Sequence, residues 1–290
     1  MVKPLFHKVA IFGVGLIGGS FALALRKENA VSEVVGFGRS ATTLQQAQRL
    51  GIIDRIGDDV SAEVSDADLV LLATPVGQMA ALMERIAPHL GEHTLVTDGG
   101  STKSNVVRDV YANFGSRAAQ FVPAHPIAGA EQSGAAAARA DLYVGKKVVL
   151  TPLPENSPEA IARVRAAWQA CGASIHQLTC VEHDEVFAAV SHLPHLLSFA
   201  LVHDLAKRDN RDLLLSFAAS GFRDFTRIAA SSPEMWRDIC LANREALMVE
   251  LERYIAELTQ LSTALATRDA TQLEHTFRAA RELRSTWIEK

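Results

Sequence analysis

Val9-Ala10-Ile11-Phe12-Gly13-Val14-Gly15-Leu16-Ile17-Gly18-Gly19-Ser20 is the stretch whose reading decides the fold. Four apolar residues in a row suit a strand buried on both faces, as in a parallel sheet. Gly13, Gly15 and Gly18 then form the pattern G-x-G-x-x-G. In such a turn the first glycine bends the chain sharply. The second lets the backbone approach a pyrophosphate, and the third lets the next helix sit close on the strand. The helix expected from Leu16 to Lys27 would aim its free N–H groups and positive dipole end at the phosphates. Leu16 and Ile17, between the glycines, belong to the same cofactor-binding turn.

Working outward, the competing reading of this stretch is a secretory signal, because Lys3 and Lys8 precede an apolar run that ends near Leu25. Its glycines, the Arg26-Lys27-Glu28 that follows and the lack of a small-residue cleavage site favour the nucleotide fold. The chain has 290 residues, enough for two domains. With 48% hydrophobic and 21% charged residues and a net charge of −4, it reads as globular. No basic footprint points to nucleic acid or an anionic membrane. No run approaches the roughly 18 uninterrupted apolar residues of a membrane span. Cys171, Cys180 and Cys240 show no paired spacing, which fits the reducing cytoplasm, and none is assigned to a metal.

Val34 to Phe37 is the expected second strand. An NAD-binding fold usually closes this strand with Asp or Glu for the ribose 2′-OH. Gly38 stands there, followed by Arg39 and Ser40. An arginine beside a missing carboxylate suits a 2′-phosphate, so NADP is expected, with NAD as the alternative. The other reading of Arg39 is a solvated loop residue. Further strands are expected at Asp68 to Thr74, Thr94 to Thr97, Gln120 to Pro123, Lys147 to Thr151 and Ser174 to Leu178. Thr74, at the end of its strand, joins the cofactor set. Helices are expected at Thr42 to Leu50, Val76 to Leu90, Ser104 to Phe114 and Pro158 to Ala170, the last with Ser157 as its N-cap.

The alternation of strand and helix stops near Thr179. Thereafter the pattern is helical, which divides the chain into a dinucleotide-binding domain over 1–179 and an all-helical domain over 180–290. The fold class is α/β, a doubly wound sheet followed by helices. Val186 to Ala206 is apolar almost all round, as a helix buried between partners should be. Pro194 must kink or interrupt it. Ser232-Pro233 opens another helix, and Leu247, Leu251, Ile255, Leu258 and Leu261 run down one face of a long one.

Three clusters can carry chemistry. His125 lies beyond the expected Gln120–Pro123 strand and precedes Pro126. A histidine there could take a proton from a substrate hydroxyl while hydride leaves. Ser101, in Asp98-Gly99-Gly100-Ser101-Thr102-Lys103, could bond the same hydroxyl. A histidine merely packed in a turn is the competing reading. In Ser191-His192-Leu193-Pro194-His195, the two histidines share a helix face. His183-Asp184 and His203-Asp204 echo a metal phosphohydrolase, but no carboxylate set completes one, and no metal is expected. Gly221 to Ala229, followed by Met235-Trp236-Arg237, offers arginines for a carboxylate, or else a surface salt-bridge network.

Taken together these motifs resemble the prephenate/arogenate dehydrogenases of tyrosine biosynthesis, and the resemblance covers essentially the whole chain. It rests on the glycine turn, Asp98-x-Gly100-Ser101-x-Lys103, His125-Pro126-Ile127-Ala128-Gly129, Ser191-His192-Leu193-Pro194-His195, and Gly221 to Ala229 with Trp236. It implies a Rossmann domain, then a helical domain that forms a homodimer and completes the site. It implies oxidative decarboxylation of prephenate or arogenate, with His125 as base and Ser101 orienting the hydroxyl. His195 would bind substrate and Arg227 would pair with a carboxylate. Glu131, His183 and Asp224 match positions that form a polar gate around that arginine in relatives. Gly38 departs from the aspartate of many NAD-using relatives. Two other readings remain: a hydroxyacid or imine reductase of the same plan, and a non-catalytic NADP-binding sensor. The first lacks a catalytic lysine in a matching motif, and the second does not account for His125 and Ser101 together.

Overall fold

Strict alternation along the first strand builds a core on each face of a sheet. Val9 and Ile11 pack with Phe21, Leu25 and Trp168. Ala10 and Phe12 point the other way, to Met79, Met83 and Val106. A strand buried on both faces needs helices above and below it, so a doubly wound fold follows from this one segment. The computed structural model describes residues 3–130 and 132–288.

Strands β1 (Phe6–Phe12), β2 (Val31–Phe37), β3 (Arg55–Ile56), β4 (Leu69–Leu72) and β5 (Leu95–Asp98) form a parallel sheet in the order β3-β2-β1-β4-β5. The order reverses beside β1, which opens a crevice at the carboxyl ends of the strands. Strands β6 (Ala124–Pro126), β7 (Lys147–Leu150) and β8 (Ser174–Gln177) make a second sheet, with β6 antiparallel to β7. A single bridge, Val96 to Phe121, ties β5 to the segment entering β6. The strand expected at Gln120 to Pro123 therefore lies a few residues later. Only its pairing with β7 carries it through His125.

Helices α1 (Leu16–Lys27), α2 (Ala41–Arg49), α3 (Val60–Ser65), α4 (Met79–Ile86), α5 (Ser104–Phe114) and α6 (Pro158–Ala170) cover the sheets. Helices α1, α5 and α6 begin and end where the sequence predicts, and Ser157 caps α6 as expected. Helix α3 and strand β3 are too short to show a period and escape the sequence reading. Lys8, a candidate signal-peptide charge, is buried within β1, with its ammonium between Glu63 and Asp66.

Helix α7 (Cys180–Phe187) opens with a capping box between Thr179 and Glu182. A wide π turn, Ala188–His192, joins it to α8 (Leu193–Ala206). Pro194 falls at the start of α8. The expected interruption is thus a bulge that keeps the rod continuous, and it turns His192 inward to 1% exposure. By length and composition alone the rod Cys180–Ala206 could cross a membrane. Its inner face nevertheless carries His183, Asp184 and His192, all buried against other residues of the fold. Helices α9 (Arg211–Ser216), α10 (Ser220–Thr226) and α11 (Pro233–Ala242) follow. Close contacts group Met1–Arg244 as one compact unit and Glu245–Lys290 as another. The second unit holds most of α12 (Arg244–Thr267) and all of α13 (Ala270–Ile288). Arg268 links them in a left-handed conformation, and Asp269 accepts the Gln272 N–H at 2.9 Å as N-cap.

The glycine turn is tight for reasons that can be measured. Gly13 has φ +99°, and a Cβ there would lie 2.5 Å from the Ala73 carbonyl oxygen. A Cβ on Gly18 would lie 2.3 Å from the Gly13 oxygen, whereas one on Gly15 meets nothing within 4 Å. Gly13→Ala and Gly18→Ala are therefore each expected to destabilise the fold by roughly 1–3 kcal/mol. Gly15→Ala should leave stability nearly unchanged. Urea unfolding of the three variants checks the contrast.

Candidate active site

Three carboxyl-end segments meet at the crevice: the glycine turn, the loop Asp98–Lys103 after β5, and His125-Pro126 in β6. A Cβ on Gly99 would lie 3.0 Å from the Ile17 side chain and 3.8 Å from Pro126, so the β5 loop sits between the other two. Asp98 holds this loop in shape. Its Oδ1 accepts the Ala124 N–H at 3.0 Å, and its Oδ2 accepts the Gly100 N–H at 2.8 Å. Oδ2 also takes the Lys103 ammonium at 2.6 Å, in an ion pair with no exposed surface on either side chain. Ser101 lies partly open beside this anchored loop.

His125 is half-buried at the next strand, and its Nδ1 lies 2.8 Å from His183 Nε2. His183 Nδ1 in turn lies 2.8 Å from Asp184 Oδ1. Asp184 reaches across to the N-terminus of α5, accepting the Lys103 N–H at 2.8 Å and the Ser104 N–H at 2.7 Å. Burial, and then the neighbouring charges of His183, Lys103 and His192, push His125 well below the ordinary imidazole range. Burial lowers His183 as well, against the opposing pull of Asp184. His192 is pushed down to about 4, chiefly by burial. Its Nδ1 lies 3.0 Å from the Asn243 amide, which also donates to the Asp184 backbone carbonyl at 2.8 Å.

His195 stacks on Trp236 with ring centroids 3.6 Å apart, and its Nδ1 donates to the Ser191 carbonyl at 2.8 Å. Its Nε2 is thereby left as an acceptor. Burial lowers its pKa, and the Arg227 charge adds to that lowering. Asp224 stands one helical turn before Arg227, and both are exposed. His183, expected in a polar gate around Arg227, is fully buried, with its Nε2 2.8 Å from His125 Nδ1. Glu131 lies outside the described residues. Asp184 and Asn243 were missed as site residues. The His183-Asp184 pair drew attention only as a metal echo, and nothing in the local sequence marks Asn243.

The residues present fit a dinucleotide. A Cβ on Gly15 would meet nothing within 4 Å, and α1 begins there with no side-chain cap among the described residues, which leaves its N-terminal N–H groups open to a phosphate. Thr74 Oγ1 and Gln78 Nε2, on the loop after β4, are buried without a hydrogen-bond partner among the described residues. Groups of this kind are costly unless a ligand or water satisfies them. Gly38, Arg39 and Ser40 are exposed where β2 ends. Ser40 Oγ caps α2 by accepting the Thr43 N–H at 3.2 Å.

A nucleotide crevice beside a half-buried histidine held below its ordinary range defines a dinucleotide-dependent oxidoreductase. Family models agree on which one. Residues 21–177 match the model "Prephenate dehydrogenase, nucleotide-binding domain", and residues 179–279 match "Prephenate dehydrogenase, dimerization domain". The chain belongs to the prephenate dehydrogenase family. It is 35% identical to the cyclohexadienyl dehydrogenase of Zymomonas mobilis, over 96% of this chain and 95% of that one. It is 37% identical to the prephenate dehydrogenase of Bacillus subtilis, over 95% of this chain and 75% of that one. Among solved structures it resembles prephenate dehydrogenase from Aquifex aeolicus in complex with hydroxyphenyl propionate and NAD⁺. That match has a TM-score of 0.89 and 36% identity and covers 96% of this chain and 97% of that one.

The buried histidines make stability depend on pH. An unfolded chain protonates His192 from about pH 6.5 downward, whereas the folded chain resists until about pH 4. Between these values the unfolded state binds more protons, so stability falls as pH falls. Lowered pKa values at His125 and His183 act in the same direction. Unfolding free energy by urea should drop by about 2 kcal/mol or more between pH 7 and pH 5. His192→Asn should flatten part of that slope.

Proposed function

We propose that the protein oxidises and decarboxylates prephenate, or the related arogenate, with NADP preferred over NAD. The observation that carries this reading is His125, held well below the ordinary imidazole range on the strand that packs against the Asp98–Lys103 loop and, through it, the glycine turn. Bound nicotinamide would supply the hydride acceptor. His125 takes the proton of the ring hydroxyl as that carbon loses hydride and becomes a carbonyl. The bond from the opposite ring carbon to its carboxylate then breaks. Its electron pair enters the ring, CO₂ leaves, and the oxygen becomes a phenol after reprotonation. Ser101 hydrogen-bonds the same oxygen. Restored aromaticity makes the sequence downhill, so alignment and one base are what the protein must provide.

His195, with Nε2 free to accept and Arg227 at its side, forms the polar end of the substrate site. Arg227 pairs with a carboxylate of the dianion, and Asp224 and Glu131 tune access to it. The functional division falls at 1–179 for dinucleotide and base, and 180–290 for substrate and dimerisation. A homodimer accounts for apolar side chains left open in each unit, such as Val190 at 68% and Phe217 at 82% in the first, and Phe277 at 60% and Trp287 at 66% in the second. Three free cysteines fit the reducing cytoplasm. The rod Cys180–Ala206 is read as a helix buried within and between subunits, not as a membrane span.

Purified protein given prephenate and NADP⁺ should form reduced cofactor and CO₂ in equal amounts. His125→Asn should cut kcat by roughly a hundred- to ten-thousandfold, with fluorescence titration showing the cofactor still bound. A parent protein that leaves prephenate untouched would overturn the assignment.

The cofactor preference rests on the exposed Gly38-Arg39-Ser40 turn, which carries no carboxylate for a ribose 2′-OH. One charge-assisted contact is worth roughly 1.5–3 kcal/mol, or about ten- to a hundredfold in kcat/KM. Arg39→Ala should lose most of the preference for NADP and change NAD kinetics little. Equal efficiency with both cofactors in the parent protein would remove the basis for this role.

A further inference from the structure

We infer that Asp184 and His183 act as positioning residues for the base, setting the tautomer of His125 through an Asp184–His183–His125 hydrogen-bond chain. The inference rests on the proposed role of His125 and adds to it two residues that never touch substrate.

The chain has only one consistent arrangement of protons. Asp184 accepts two backbone N–H groups and is held below its ordinary carboxylate range, so it is ionised and can only accept. His183 Nδ1, at 2.8 Å, must therefore donate to it. Neutral His183 then has a bare Nε2, which can only accept. His125 Nδ1, 2.8 Å away, must donate to that nitrogen. The lone pair of His125 is consequently on Nε2, the atom left to receive a substrate proton. When His125 becomes an imidazolium, its Nδ1–H still points along the chain toward the Asp184 charge. The logic is that of other aspartate–histidine pairs, in which the carboxylate orients a ring and stabilises the cation that forms. Here a second imidazole is interposed.

The surroundings hold this arrangement in place. His125 is faced by His183 and Phe187 of α7, by Lys103 of the β5 loop and by His192 of the π turn. His183 is faced by Asp184, Lys103 and Asp98. The Lys103 charge, which opposes protonation of either ring, is itself paired with Asp98. His183 has no exposed surface, so no ligand reaches it except through His125.

Two kinds of measurement test the chain. Long-range ¹⁵N–¹H correlations on the parent protein should place the proton of both His125 and His183 on Nδ1, whether or not any substrate is turned over. A proton on Nε2 of His125 would overturn the inference while leaving the proposed reaction untouched. In kinetics, His183→Phe keeps a ring but removes the acceptor. It should lower kcat roughly a hundredfold with little change in the KM for either substrate. His183→Gln returns an acceptor oxygen without the link to Asp184 and should recover about tenfold of that loss. It should also move the acidic limb of kcat/KM to lower pH, since the imidazolium is no longer stabilised. A His183→Gln enzyme with parental kcat and an unmoved pH profile would show a packing role only. Failure of the parent enzyme to oxidise prephenate would instead strike the functional reading, and the tautomer assignment would stand on the NMR result alone.

Discussion

The Asp184 carboxylate is the contact on which the site depends. It sits in the second turn of α7 and accepts the Lys103 and Ser104 N–H groups at the start of α5, which no side chain of α5 itself caps. A carboxylate at a helix N-terminus satisfies orphan donors and meets the positive end of the dipole. Oδ1, which accepts the Lys103 N–H, also holds His183, while Oδ2 accepts the Ser104 N–H. One side chain therefore joins the first helical element after the sheets to the β5 loop and, through His183, to His125. Asn243 closes the arrangement from the far end of α11 by bonding both the Asp184 carbonyl and His192.

Such a buried polar network is tolerable because most of its polar atoms satisfy one another, although His192 Nε2 has no partner among the described residues. Lys103 would be prohibitive alone in the interior, and Asp98 neutralises it. Asp98 spends its remaining capacity on the Gly100 and Ala124 N–H groups, which are the two backbones flanking the crevice. The histidines around this ion pair are all held below their ordinary range by burial. A base in such surroundings stays unprotonated over the neutral range, and it gains most from a fixed orientation and a distant compensating charge. Tolerance of acid is the corresponding weakness.

Local physics made much of the fold legible. Helices α1, α5 and α6 run as expected because glycines, an N-cap serine and a proline at the first turn act on their immediate neighbours. The doubly wound sheet followed from four apolar residues and a glycine turn. Strand β6 was misplaced because its limits are set by antiparallel pairing with β7 some 20 residues later. Strand β3 and helix α3 were missed because two and six residues hold too little pattern. Pro194 announced an irregularity, but its form, a π turn that buries His192, depended on what α8 packs against.

The amino-acid sequence alone determined the fold class, the nucleotide crevice and the family, and it singled out His125 as the candidate base, because each rests on contiguous motifs whose chemistry is local. The tertiary structure decided the use of His183. The resemblance assigned it to a gate around Arg227, and the structure adds hydrogen bonds to His125 on one side and Asp184 on the other. Its partner His125 is 58 residues away in the chain, and Asp184 reaches Lys103 across 81. Which side of a helix faces a loop so remote is settled by packing of the whole unit, and no local pattern encodes it.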